Sequence, residues 1–253
     1  MADVTPQGAA VLRSARKRPL DLARSGPYFA ALLIVTQIAF WPTYLSLAFS
    51  ASSAFTHFHA VTATVWLLLL IAQPLAIRTR RLAWHRALGQ ASYVVAAVVF
   101  VSIVLLAHDR MRRATAATAD LFAVQTYVLY LQLSLAALFG LSYGLGLATR
   151  RNMALHARFM VCTGLTLIDP VVIRLMFWAD PTPTWNYQWF TFGLTDLAFI
   201  VLIYLERDSR IGRRVFPAML SVFAASQLPA LLGFTDGPSW QSFARWFATL
   251  PLT

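Results

Sequence analysis

Seven apolar runs, separated by short arginine-rich segments, constrain this chain more than any other feature. Each run is long enough for an α-helix to cross the hydrocarbon core of a bilayer, which takes about 20 residues. The chain is 58% hydrophobic and 12% charged, whereas a soluble domain is about one quarter charged. The sequence therefore predicts an all-α, polytopic membrane protein. Its seven-transmembrane-helix bundle is predicted at residues 28–49, 57–77, 88–107, 120–148, 155–178, 188–204 and 215–234.

The arginines between the runs predict an orientation. Basic clusters precede the first run and follow the second, fourth and sixth, so all four lie on one side of seven spans. Lysine and arginine concentrate in cytoplasmic loops, which predicts a cytoplasmic N-terminus and a C-terminus outside. The segment 108–113, interpreted as a loop, places three arginines on the other side and departs from this rule. Topology explains the net charge of +11, so no nucleic-acid partner is predicted.

The sequence divides into three predicted parts: a basic cytoplasmic tail at 1–27, the transmembrane domain at 28–235 and an outer-face segment at 236–253. The last part has Trp240, Phe243 and Phe247 at helical spacing but is too short to span, which predicts an amphipathic helix lying on the membrane surface. The lipid bilayer is thus the predicted partner, and no oligomeric state is predicted. A single cysteine, Cys162, excludes an intramolecular disulfide and a cysteine-rich metal site.

Ionisable side chains toward the outer ends of the runs indicate a functional site, because charge inside a membrane is costly. They are His57, His59, Asp169, Arg174 and Asp196. Histidine and carboxylate groups bind transition metals, so His57, His59 and Asp196 are the candidate metal ligands, and His59 and Asp196 are predicted to approach each other. Asp169 and Asp196 are candidate catalytic acids, with Arg174 in support. The alternative is a buried Asp169–Arg174 ion pair, with His59 bonded to a backbone carbonyl.

A second group lies at the inner ends of the third and fifth runs, in the motifs HRALG and HARFM. Two histidines on neighbouring helices can ligate a b-type haem, so His85 and His156 are candidate cofactor ligands, with Arg86 and Arg158 beside them. The alternative is a cluster that binds lipid phosphate. The cofactor is left open between a transition metal and haem b.

Together these motifs resemble a widespread family of bacterial seven-helix membrane proteins of unknown function, over most of residues 55–247. A looser resemblance links the chain to DUF2306-type membrane proteins, which pair HR-x-L-G with H-x-x-W-M; Phe159 stands here in place of the tryptophan. The resemblance implies a bacterial cytoplasmic (inner) membrane protein without an established activity. It selects as functional residues His57, His59, Gln73, His85, Arg86, Gly89, His156, Arg158, Arg174 and Asp196.

Three functions remain open on these residues. The leading interpretation is a metal- or haem-binding membrane protein with redox or enzymatic chemistry. The second is a proton- or ion-coupled transporter or channel-like protein, and the third is a membrane enzyme that uses buried aspartates as acids on a lipid, isoprenoid or other hydrophobic small molecule. They require different structures: convergent histidines, polar groups continued across the membrane, or an apolar cavity beside an acid.

Overall fold

A computed structural model describes residues 20–47, 52–180, 187–209 and 212–253, and all regular structure in these segments is helical. This confirms the predicted all-α class. The helices are α1 (Gly26–Phe40), α2 (Ala54–Arg78), α3 (Leu82–Thr115), α4 (Ala119–Ala148), α5 (Met153–Leu165), α6 (Ile168–Ala179), α7 (Gln188–Glu206), α8 (Val215–Leu231) and α9 (Pro238–Thr249).

Six helical segments in the described part of the chain are long and apolar enough to cross a membrane. They are Leu22–Leu45, Ala54–Arg78, Leu82–Thr115, Ala119–Ala148, Met153–Ala179 and Gln188–Glu206. Helix α8 is also apolar but has only 17 residues. Length and composition therefore identify an integral, multi-pass membrane protein, whereas the predicted count of seven spans is not established by them.

Consecutive long helices run antiparallel, so the described arginines that follow α2, α4 and α7 lie at one end of the bundle, called here the basic face. Helices α2, α4 and α7 end at this face, and α3 and α5 begin there. Glu206, at the end of α7, joins them: it accepts a hydrogen bond from the Leu20 backbone N–H at 2.9 Å and forms an ion pair with Arg158 of α5. At the opposite face, Ser53 before α2 donates to Asp109 of α3 at 2.9 Å.

Close side-chain packing holds the helices together, since association between helices inside a membrane depends on packing more than on the hydrophobic effect. The main core contains Trp66, Phe139, Phe199 and Phe223, each less than 10% exposed. Gly164 of α5 touches α1 so closely that a Cβ there would lie 2.3 Å from the Phe29 ring. The absence of a side chain at Gly164 therefore allows α1 and α5 to lie close to each other at this point.

Helix α3 corrects the prediction of a loop at 108–113. It continues for 34 residues, about 51 Å, and His108 and Asp109 are 0% and 4% exposed. The extension is stable because distant parts of the chain cover it: His108 Nδ1 lies 2.7 Å from Thr253 Oγ1, and Phe247 of α9 packs edge-on against its ring. Helix α9 thus buries one side against α3, and its predicted place at the membrane surface stays a prediction.

The fifth apolar run is one predicted helix but two observed ones. Helix α5 ends at Leu165 and α6 begins at Ile168. Pro170 lacks the N–H that would donate to the Thr166 carbonyl in a continuous helix, so the ladder is interrupted. Irregular backbone at membrane depth is tolerated where it lines a cavity. The break between α5 and α6 lies beside a cavity, which Thr166 and Leu167 help to line.

Candidate functional site

A cavity of about 490 Å³ lies among helices α1 to α6 and the start of α7. This volume is within the range of small-molecule sites, roughly 300–1,000 Å³. Its apolar walls are formed by Phe40, Ala63, Trp66, Val99, Ile103, Leu106, Val128, Leu131, Leu135, Phe139, Ile173 and Phe177. Along α2 the lining extends inward to Trp66, which is about 18 Å from the start of that helix at Ala54.

Polar side chains occupy the end of the cavity nearest the opposite face. They include His59, Arg110, Asp169, Arg174 and Gln188, and Gln125, Tyr127, Gln132, Thr163 and Thr166 add further polar groups to the lining. His59 lies in the second turn of α2, Arg110 near the end of α3 and Gln188 at the start of α7, so all three lie in the half of the bundle toward the opposite face. The cavity therefore has a polar end near one membrane face and apolar walls toward the middle of the bundle.

His59 is held by a hydroxyl group and not by a backbone carbonyl. Its Nδ1 lies 3.1 Å from Ser102 Oγ, and Ser102 donates its own proton to the Val99 carbonyl at 2.7 Å. Ser102 Oγ also lies 2.9 Å from Thr62 Oγ1, and in the arrangement in which Ser102 accepts from His59 the imidazole proton is on Nδ1. The other ring nitrogen of His59, Nε2, then has a free lone pair that can accept a hydrogen bond, and His59 lines the cavity.

Asp169 is 5% exposed and accepts hydrogen bonds from Gln188 Nε2 and Thr191 Oγ1, both in the first turn of α7. Among the described residues it forms no ion pair with Arg174, so the alternative of an Asp169–Arg174 pair is wrong for this arrangement. The buried carboxyl is thus oriented by neutral donors beside the cavity.

Tyr187 also lines the cavity, immediately before α7. Its hydroxyl donates to Asp180 Oδ2 at 2.6 Å, and this hydrogen bond, with burial and the nearby negative charge, raises the pKa of Tyr187 to about 12. The phenol therefore stays protonated at neutral pH.

The predicted metal ligands are not brought together. His57 Nδ1 lies 2.9 Å from the Tyr44 hydroxyl, and Asp196 accepts from Gln227 of α8 at 3.0 Å. Helix α2 already begins at Ala54, so both histidines are helical and differ by about 200° around its axis. Within the described segments, no group of three or more His, Cys, Asp or Glu side chains could hold a metal ion. The prediction that His57, His59 and Asp196 form a metal site is therefore not supported.

The two histidines at the basic face lie close enough to interact electrostatically. The Gln73 side chain bridges Gly89 and His85. With the amide oriented so that its oxygen accepts from Gly89 N–H at 2.9 Å, the amide nitrogen of Gln73 donates to His85 Nδ1. His85 then carries its proton on Nε2. His156 donates from Nδ1 to the Gly146 carbonyl at 2.8 Å.

Among the described residues, nothing beyond the proximity of these two histidines indicates a bis-histidine haem site. Of the two arginines predicted beside them, Arg158 turns to Glu206 of α7 and Arg86 is exposed. Haem binding by His85 and His156 is therefore not supported.

Sequence reasoning missed Arg110, Ser102, Gln188 and Glu206. Arg110 carried one signal, because it belongs to the arginine group that departs from the positive-inside rule. Glu206 is 0% exposed, and its signal was the unpaired charge of Arg158 at a similar depth. Ser102 and Gln188 have no distinguishing pattern in the sequence.

Fold and site together define a multi-pass α-helical membrane protein with a cavity between its helices. Comparisons with family models, curated proteins and solved structures find no match to this chain. The resemblance to a bacterial membrane protein family therefore stays a prediction, and the function is argued from the cavity.

Proposed function

We propose that this protein binds an apolar small molecule of the membrane in the cavity between its helices. The observation that carries the proposal is the 490 Å³ cavity, whose apolar walls lead to the buried carboxyl of Asp169. An apolar cavity beside an acid is the arrangement that a protein acting on a hydrophobic small molecule requires.

A relay across the membrane has weaker support. The polar residues of the cavity lie near the opposite face, and the His85–His156 group lies at the basic face. The tightly packed core around Trp66, Phe139 and Val99 stands between them. Polar groups in this layer, such as Ser92 and Tyr143, bond to each other at 2.9 Å, which supports a closed packing layer more than a path for ions.

A second candidate function is catalysis on the bound molecule. His59 offers an acceptor nitrogen and Asp169 a carboxyl group, and both line the same cavity. An acid and a base beside a bound substrate are the parts of general acid–base catalysis. The class proposed is therefore a membrane enzyme with His59 as base and Asp169 as acid, its reaction left open.

The proposed topology has seven spans, with the N-terminus in the cytoplasm of a bacterial cell. Helix α8 supports the seventh span. It begins beside Arg214 of the basic face, and the hydroxyl of Tyr130, in the half of α4 toward the opposite face, donates to its Ser226 carbonyl at 2.7 Å. Its 17 residues extend about 26 Å, close to the hydrocarbon thickness of about 30 Å.

Contact quenching of Trp66 tests the binding proposal. The probes are 9,10-dibromostearate and 9,10-dibromooctadecanol, added to the full-length protein in neutral detergent micelles. The quenching of Trp66 is the quenching of the unmodified protein minus that of Trp66→Phe. This difference removes the contribution of the tryptophans that face the detergent. We expect at least one probe to quench Trp66 with saturation.

Filling the cavity supplies the matched control. Ala63→Phe should abolish the quenching, because Ala63 lines the cavity, whereas Val61→Phe on the exposed side of the same helix should preserve it. If neither probe quenches Trp66, or if both variants behave alike, binding in this cavity is refuted.

A further inference from the structure

We infer that Arg110 and Arg174 form an anion-binding site at the polar end of the cavity, so that the bound molecule is an amphiphile with a carboxylate or phosphate group. This inference rests on the proposed function, since it concerns the ligand of the same cavity. It assigns the charge of the ligand and the two residues that recognise it.

The two guanidinium groups come from different helices and meet at the cavity. Arg110 lies near the end of α3 and Arg174 in the middle of α6, and both line the cavity and are half-buried. They lie close enough for their positive charges to repel each other. The break between α5 and α6 sets the direction of α6 and therefore the position of Arg174.

Neither arginine forms an ion pair within the described residues, although the Asp109 carboxylate lies near Arg110. In residues 20–47, 52–180, 187–209 and 212–253, no hydrogen bond or ion pair reaches either side chain, and Arg174 has only the face of the Phe40 ring, 5.5 Å from its Cζ. Two like charges, partly withdrawn from water and unpaired, are unfavourable unless an anion joins them. An arginine fork matches the two oxygens of a carboxylate or phosphate.

The acidic residues in the described part of the chain do not supply that anion. The chain has ten, and Asp109, the one beside Arg110 in the sequence, bonds to Ser53 and Arg113. Asp169 is held by Gln188 and Thr191. The segments 48–51 and 181–186, which flank the cavity helices, contain no Asp or Glu. No acidic side chain in the described residues pairs with Arg110 or Arg174, which leaves an anion from outside the chain as the proposed partner.

The layout of the cavity matches an amphiphile in one membrane leaflet. Arg110 lies near the end of a helix about 51 Å long, which places it at the depth of the lipid headgroups. The apolar walls at Leu135, Phe139 and Trp66 lie deeper. A headgroup at the arginines and a hydrocarbon chain along these walls would keep the orientation that the molecule has in the bilayer.

Headgroup selectivity tests the inference. With the Trp66 quenching assay, we expect dibromostearate to bind at least about tenfold more tightly than dibromooctadecanol, because hydrogen bonds to charged groups are the stronger ones. Arg110→Gln and Arg174→Gln should each remove about tenfold of the affinity for the acid and leave the alcohol unchanged. Arg112→Gln, an equal loss of charge at an exposed position of α3, should change neither.

Competition distinguishes the two sources of the anion. If laurate displaces dibromostearate more strongly than dodecyl phosphate does, the ligand is a carboxylate, and the reverse order identifies a phosphate ligand. Dodecanol should displace dibromostearate more weakly than either. Equal binding of the acid and the alcohol, or Arg110 and Arg174 variants that match Arg112→Gln, would overturn the anion site while leaving cavity binding intact. Absence of quenching by both probes would instead refute the proposed function.

Discussion

The ion pair between Arg158 and Glu206 predicts a large and specific loss of stability. Glu206 is 0% exposed and accepts from Arg158 Nε at 2.8 Å, from Arg158 Nη2 and from Leu20 N–H at 2.9 Å. Glu206→Ala removes all three bonds and leaves a buried guanidinium without a counterion. Removing one partner of a buried pair costs about 3–5 kcal/mol.

This free energy can be measured as a change in melting temperature. For a chain of this size, 1 kcal/mol corresponds to roughly 2–4 °C, so Glu206→Ala should lower Tm by about 6–20 °C in detergent, followed by circular dichroism. Asp208→Ala is the matched control, because the side chains of Asp208 and Arg207 are 45% and 41% exposed and 3.9 Å apart. An exposed pair of that kind contributes about 0–1 kcal/mol.

A double substitution separates the lost attraction from the uncompensated charge. Arg158→Met combined with Glu206→Leu removes both charges and keeps most of the volume, and such replacements are often neutral or stabilising. The double variant should therefore melt well above Glu206→Ala. Equal melting of Glu206→Ala and Asp208→Ala would refute the reasoning, because it would mean that the buried pair contributes no more than an exposed one.

Three further outcomes are expected. Cysteine labelling in whole cells should modify Thr253→Cys from outside and Ala2→Cys only after permeabilisation; the reverse pattern excludes the proposed topology. Gly164→Ala should cost about 1–3 kcal/mol from overpacking, because its Cβ would meet the Phe29 ring, whereas Gly144→Ala has open space and should be neutral or stabilising in thermal unfolding. Asp109→Asn should lower stability by about 1–3 kcal/mol through its bonds to Ser53 and Arg113, and an unchanged Tm would show that these bonds add nothing.

Apolar length predicted most of the helices, because the requirement to satisfy every backbone group in lipid leaves few alternatives. The end of α3 could not be predicted in the same way. His108 and Asp109 look like loop residues in the sequence, and they are helical because Thr253 and Ser53, far away along the chain, bond to them. Local composition carries no record of such contacts.

The candidate site was predicted only in part. His59, Asp169 and Arg174 were grouped by depth in the sequence, and all three line one cavity. The metal set is not supported, because depth does not fix direction around a helix and Asp196 is bonded to Gln227. Arg110 was treated only as part of a segment that departs from the topology rule, although a charge on the unexpected side of a membrane is itself a reason to look for a role.

The break at Thr166–Leu167 separates two kinds of constraint on the sequence. Helix α5 is anchored by the Arg158–Glu206 pair and by the contact of Gly164 with Phe29, so its residues are constrained by folding. Helix α6 carries Asp169 and Arg174 into the cavity. If the cavity binds a ligand as proposed, substitutions in α6 should change which ligand is accepted while the contacts that anchor α5 stay intact. The break would then leave ligand preference open to divergence, or to redesign, within one unchanged scaffold.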